Sequence, residues 1–156
     1  MPVGSQIPIA EGLFTWPASD PALIGAQCRN CEAVAFPSRE TCPRCGAISM
    51  HRNELPREGN LWTWTSQGFR PKEPFCGDLL GTGAQPWFVG LVELGGRIRI
   101  ESILHNVAEQ ELAIGMPLKL TVIPFRTSDS GDTVITFAFE PAPHITTSDS
   151  TEAAHV

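Results

Sequence analysis

Four of the five cysteines fall into two pairs, Cys28-Arg29-Asn30-Cys31 and Cys42-Pro43-Arg44-Cys45. A C-x-x-C pair lets two thiolates converge from one tight knuckle. Two knuckles supply the four sulfurs of a tetrahedral metal site, with Zn–S near 2.3 Å. Gly46 follows the second knuckle, where the chain wraps back toward the sulfur and a positive φ is favoured. Glu32 stands at the matching place after the first knuckle, so that turn is expected to be less ideal. Arg29 and Arg44 lie within the knuckles, in position to offset the negative charge of four thiolates. Four protein ligands leave no place for a substrate. Cys28, Cys31, Cys42 and Cys45 are therefore expected to hold a structural Zn²⁺ that stabilises a segment too small to fold on an apolar core alone. A rubredoxin-type iron or an iron–sulfur site would use the same ligands. Free thiols and a redox C-x-x-C are the weaker alternatives, since a thioredoxin-like motif needs a βαβ pattern that is absent here.

No other constellation of residue types suggests catalysis. Cys76 stands alone in a Pro- and Gly-rich stretch, Phe69 to Gln85, long enough for a functional loop. Only Arg70 and Lys72 are near it in sequence, and an incidental thiol is favoured over a nucleophile. The histidines His51, His105, His144 and His155 share no metal-ligand spacing. No G-x-S-x-G, P-loop or G-x-G-x-x-G motif occurs, so no catalytic residue is assigned. Phe69, Arg70 and Lys72 form the one candidate ligand contact. An aromatic residue beside two cations can meet a phosphate, such as the nucleotide end of coenzyme A, by stacking and charge; an ordinary solvated loop is the bland reading. The aromatic set Trp62, Trp64, Phe69, Trp87 and Phe88 reads mainly as core with one exposed strand face.

The elements that must position these residues are mostly strands. Residues 23–57 hold the cysteines, and the ten residues between the knuckles suffice for a short strand pair. Residues 58–141 alternate apolar runs with Gly and Pro turns. Strands are predicted over Asn60–Gln67, Pro86–Leu94, Arg97–Leu104, Leu118–Phe125 and Thr133–Phe139. Gly95-Gly96 makes a tight hairpin turn, and Ile98 and Ile100 alternate with Arg97, Arg99 and Glu101, which leaves one face wet. The stretch Asn106–Met116 fits a short helical turn. Five strands with one small insert after the third suit a five-stranded OB-fold barrel; a sandwich competes. Residues 1–22 are expected to form a Pro-rich segment with a short helix begun by Ser19-Asp20-Pro21. Residues 142–156 read as a disordered tail.

The bulk properties exclude several classes. The formal net charge is -6, concentrated in residues 58–140 with ten acidic against six basic side chains. Nucleic-acid binders rely on basic patches, so a nucleic-acid-binding OB module is a minor alternative. No run approaches the ~18–20 apolar residues that span a bilayer, and no signal peptide is visible at the start. A cytoplasmic protein with no membrane partner is expected. Its reduced thiols agree with metal binding rather than disulfides.

The order of parts resembles one family. A C-x-x-C pair is followed by Phe36-Pro37-Ser38-Arg39-Glu40-Thr41-Cys42-Pro43-Arg44-Cys45-Gly46. Next come a strand opening at Gly59, the hairpin at Gly95-Gly96, Ile114-Gly115-Met116-Pro117-Leu118 leading into a strand, and a last strand ending at Phe139-Glu140-Pro141. This resembles the zinc-ribbon plus OB-fold proteins once called domain of unknown function 35, over roughly residues 13–141. The resemblance implies a mainly β protein, with an N-terminal rubredoxin-like zinc ribbon followed by an OB-fold barrel. It also implies a hetero-oligomeric accessory subunit of a thiolase-like acyl-CoA enzyme, of the benzoylsuccinyl-CoA thiolase small-subunit type. Phloroglucinol acetyltransferase and the aldolases that shorten steroid side chains use related partners. In such complexes the larger subunit carries the catalytic Cys and His, and a coenzyme A thioester is the ligand of the complex. Glu32 departs from the glycine usual in the family.

Overall fold

The computed structural model describes residues 5–77 and 86–143. Along the chain run β1 (Gln6–Pro8), β2 (Ile24–Cys28), β3 (Val34–Ala35), β4 (Met50–Glu54), β5 (Glu58–Gln67), β6 (Trp87–Leu94), β7 (Ile98–Leu104), β8 (Pro117–Thr127) and β9 (Thr133–Pro141). A single-turn 3-10 helix at Glu109–Glu111 occupies the insert before β8.

β5 to β9 close a barrel. The pairings β5–β6, β6–β7, β8–β9 and β5–β8 are antiparallel, and β7 meets the end of β9 in parallel at Leu104 and Phe139. The alternation expected from the sequence is what builds it. Phe88, Val92 and Leu94 of β6 and Ile100 and Leu104 of β7 point into the barrel. Arg99 and Glu101 point out, exposed. Gly95 and Gly96 both take positive φ, 58° and 65°. This matches the hairpin turn whose twist suits paired strands. The five predicted strands are all present, with β8 and β9 two residues longer at their ends than the pattern suggests.

β2, β3 and β4 form a separate three-stranded sheet in the order β3-β2-β4 that carries the cysteines. Between the knuckles lies only β3, paired to β2, where the sequence suggested a strand pair within the segment itself. The expected helix near Ser19-Asp20-Pro21 is not formed. Residues 5–22 instead contain β1, added in parallel to the free edge of β9, and a bridge from Phe14 to Leu23. Asp20 pairs with Arg57 at 3.1 Å rather than capping a helix. The tail expected to be disordered lies, from residue 144 on, outside the described residues, as do residues 78–85 of the long loop.

The two sheets share one core. Phe14, Leu23 and Leu55, beside the cysteine-bearing sheet, pack in the same buried cluster as Leu61, Val92, Leu118 and Phe139 of the barrel. Phe36 meets Phe137 edge-on with ring centroids 5.6 Å apart.

Candidate metal centre

Each knuckle is built by the same backbone device. The Cys28 N–H donates to the Ala33 carbonyl at 2.9 Å, and the Cys42 N–H donates to Ala47 at 2.9 Å. Glu32 N–H returns to the Cys28 carbonyl and Gly46 N–H to the Cys42 carbonyl, both at 3.0 Å. The amides of Asn30 and Arg44 each point at the first sulfur of their knuckle, at 3.4 Å. The two turns are thus near copies. Both need the left-handed backbone at their last residue, with φ 74° at Gly46 and 60° at Glu32. Glu32 adopts a conformation that costs a side-chain-bearing residue about 1–2 kcal/mol.

The four Sγ atoms lie within 4.8 Å of one another. Cys28 and Cys45 approach to 3.7 Å and Cys31 and Cys42 to 3.6 Å. A tetrahedron with Zn–S of about 2.3 Å has edges of about 3.8 Å, so these spacings fit the ion. Cys28 and Cys42 are buried, Cys31 is half-buried and Cys45 is exposed. The arrangement supports a structural zinc held by all four thiolates, which would join the knuckles and leave no open coordination position.

The surroundings sort the thiols. The Ser49 hydroxyl, 3.4 Å from Cys28 Sγ, leads the groups that bring its pKa down to about 6. The Asn30 side-chain amide, 3.5 Å away, leads those that lower Cys45. The Ala33 amide pulls Cys31 the same way, but burial and the sulfurs of Cys45, Cys42 and Cys28 push it up to about 11. Two sulfurs shifted toward the thiolate beside one shifted away from it is what a packed thiol cluster gives. A divalent ion displaces the remaining protons.

The barrel supports this site from outside. Arg97, at the β6–β7 hairpin, donates from Nη2 to the Glu32 carbonyl at 2.7 Å. With the Gln27 amide oriented to satisfy both partners, its oxygen accepts from the same guanidinium at 2.9 Å. Sequence reasoning missed Arg97. It lies 65 residues from Glu32, and nothing in a strand's alternation says which loop an arginine will reach.

The other predicted residues are scattered. Phe69, Arg70 and Lys72 are exposed beyond β5, Phe69 at 72%. Cys76 is exposed, and His105 is exposed at the end of β7. The aromatic set divides. Phe88 is buried, and Trp64 packs on it edge-on at 5.8 Å. Trp62 lies 46% exposed under the Arg99 guanidinium, 3.9 Å from the ring centre. Among the described residues the four cysteines are the one cluster of metal-ligating side chains.

A four-thiol ribbon fused to a five-stranded barrel defines the class: a mainly β zinc-ribbon and OB-fold protein. Residues 15–49 match the ChsH2 rubredoxin-like zinc ribbon domain, and residues 53–122 match the ChsH2 C-terminal OB-fold domain. The chain belongs to this zinc-ribbon and OB-fold family, known also as DUF35. It is 28% identical over 122 residues to a DUF35 domain-containing scaffold protein of Methanocaldococcus jannaschii, covering 78% of this chain and 81% of that one. It is 26% identical over 98 residues to a probable enoyl-CoA hydratase alpha subunit of Thermomonospora curvata, covering 63% of this chain but only 28% of that protein. Among solved structures, the fold is similar to a chain of an Ltp2-ChsH2(DUF35) aldolase. The TM-score is 0.57 at 23% identity, over 77% of this chain and 84% of that one.

Proposed function

We propose that this chain is a non-catalytic, zinc-binding subunit of a thiolase-type acyl-CoA-processing complex, working in the cytoplasm. The partner carries the catalytic Cys and His for acyl transfer or thiolytic carbon–carbon cleavage. One observation carries the reading: the one metal-ligating cluster among the described residues is a closed four-thiol site, suited to fixing a shape and not to turning over a substrate. The relatives' names agree with a supporting role in acyl-CoA chemistry, one being a scaffold protein and another a subunit of a probable hydratase. On this reading the ribbon spans residues 23–57 and the barrel residues 58–141. Phe69, Arg70 and Lys72, exposed together beyond β5, are the residues proposed to meet the coenzyme A thioester held by the complex. An aldolase partner is the second reading, favoured by the aldolase complex that shares the fold.

The test is co-expression with a thiolase-fold protein encoded in the same gene cluster. Co-purification at a fixed ratio is expected, with thioester turnover by the pair and none by this chain alone. Turnover by the isolated chain, or full assembly of chelated, zinc-free protein, would refute it. Retro-aldol cleavage without thiolysis by the pair would select the aldolase reading.

A further inference from the structure

The outer face of β6 and β7 carries an aromatic–guanidinium–carboxylate set. Arg99 lies over Trp62 at 3.9 Å from the ring centre and donates to Glu93 at 3.0 Å. Glu93 and Arg99 face each other across the two strands, followed along the same face by Leu91 with Glu101 and Val89 with Ile103. At that end the face opens into a cleft of about 230 Å³.

The cleft has aromatic walls and one carboxylate. Phe75, Trp87, Phe125 and Phe137 line it together with Glu101. Phe75 stacks on Trp87 with centroids 6.0 Å apart and meets Phe125 edge-on at 5.9 Å. Phe125 stands at an irregularity of register in β8, between Pro124 and Arg126. Such irregularities re-aim a side chain, and here the ring joins the outer cluster. Glu101 is exposed and makes no ion pair among the described residues.

From this we infer that the cleft is a docking socket for an arginine side chain of a partner protein. Three observations select that occupant. Its volume is below the roughly 300–1,000 Å³ of sites for drug-sized ligands and cofactors, so it suits one long side chain. Four aromatic rings line it and Glu101 adds a full charge, so it favours a cation over an anion. A planar, weakly hydrated guanidinium stacks on rings and can fork onto a carboxylate where a lysine ammonium does not; Arg99 already lies on Trp62 while donating one bond from Nε to Glu93. The charge of the surrounding segment agrees, with ten acidic against six basic side chains over residues 58–140. Arginine in a ring-lined pocket is also a recurrent anchor of interfaces. The inference deepens the proposed role as a docking subunit and rests on it for the occupant's origin.

The free, zinc-loaded full chain tests the chemistry. N-butylguanidinium and its neutral isostere N-butylurea are titrated separately, followed by the amide NMR shifts of Val89 and Ile103 and the Trp87 indole signal. Saturable shifts confined to these residues are expected with butylguanidinium, and binding weaker by about tenfold or more with butylurea. Glu101→Gln, an exposed and isosteric change, should weaken butylguanidinium to the level of butylurea. Equal binding of the two probes, binding indifferent to Glu101→Gln, or no saturable shift would each overturn the socket. In the co-purified complex, Glu101→Gln should weaken assembly by about the same factor. Assembly unchanged by Glu101→Gln, in a chain that still binds butylguanidinium, would overturn the partner arginine as occupant. If no thiolase-fold partner assembles yet the probes discriminate, the proposed function fails and the guanidinium site stands.

Discussion

Glu32 and Gly46 hold the same place in two matching turns, at φ 60° and 74°. Nothing lies within 4 Å of where a Cβ at Gly46 would sit. The glycine there serves backbone freedom alone, and Gly46→Ala should cost about 1 kcal/mol. The opposite change, Glu32→Gly, relieves the left-handed strain while losing some chain entropy, and should gain up to about 1 kcal/mol. Arg97 bonds the Glu32 carbonyl and not its side chain, so the brace survives the substitution. Denaturant unfolding of zinc-loaded variants checks both signs; a destabilised Glu32→Gly would mean that the carboxylate itself contributes. Both turns were legible in the sequence, because C-x-x-C followed by glycine is a local pattern and Glu32 stood out as its exception. Arg97 was not legible, since its partner is fixed by how the two sheets pack. Truncating it with Arg97→Ala leaves the Glu32 carbonyl without its donor at 2.7 Å and frees the Cys28–Cys31 knuckle. Zinc transfer to a chromogenic chelator should then run several-fold faster than in the parent protein, with Glu32→Gly, which removes the strain the brace opposes, slowing it again. Equal release rates would assign Arg97 to packing alone.

At the scale of elements, the barrel strands were readable because half-wet strands alternate with period two. β2 was not, for a definite reason. Ala22, Leu23, Ile24, Gly25 and Ala26 are all buried, so the run has no polar side and no period. The capping signal just before it suggested a helix that pairing with β4 and β3 overrides. β1 was equally hidden, being only three residues long and paired in parallel to β9. Ser5 fastens it, donating from N at 3.0 Å and Oγ at 2.7 Å to the Asp132 carboxylate. The Ser130 hydroxyl also donates to Asp132, at 2.6 Å, and with Ser5 holds its pKa below the ordinary carboxylate value. A carboxylate depressed in the folded state adds stability above its unfolded pKa, near 3.9, and loses it as the pH falls through the folded value. The parent should therefore melt higher than Asp132→Asn at pH 5 to 7, with the gap closing below about pH 4. Both proteins are compared only over the pH range in which they keep their zinc, where the gap should already narrow as the pH approaches 4. A gap independent of pH would show that the charge of Asp132 is irrelevant to the tie.

Over the whole molecule, the question is whether ribbon and barrel are two folding units or one. The cysteine segment looks separable in sequence, since composition changes sharply near residue 57. The packing says otherwise. Leu23 and Leu55 sit in the barrel's own buried cluster with Phe14. The Leu55 N–H donates to the Leu23 carbonyl at 2.8 Å, and the Leu120 N–H of β8 donates to the Arg57 carbonyl at 2.7 Å. Structural zinc in small ribbons is worth about 10–16 kcal/mol of apparent binding free energy, comparable to or above the ~5–15 kcal/mol net stability of a typical domain. Removing the ion should therefore unfold the ribbon. That exposes three large apolar side chains of the shared core, each worth about 1.5–3 kcal/mol, a loss on the scale of the barrel's whole margin. Chelation is thus expected to melt the barrel with the ribbon in a single transition. Trp62, Trp64 and Trp87 report on the barrel, so their fluorescence should shift together with the far-ultraviolet β signal as chelator is added. Restoring zinc under reducing conditions should recover both signals. A chelated chain that kept native barrel amide shifts while the cysteine segment lost its own would show that the common core does not couple the two sheets, and that the barrel stands without the metal.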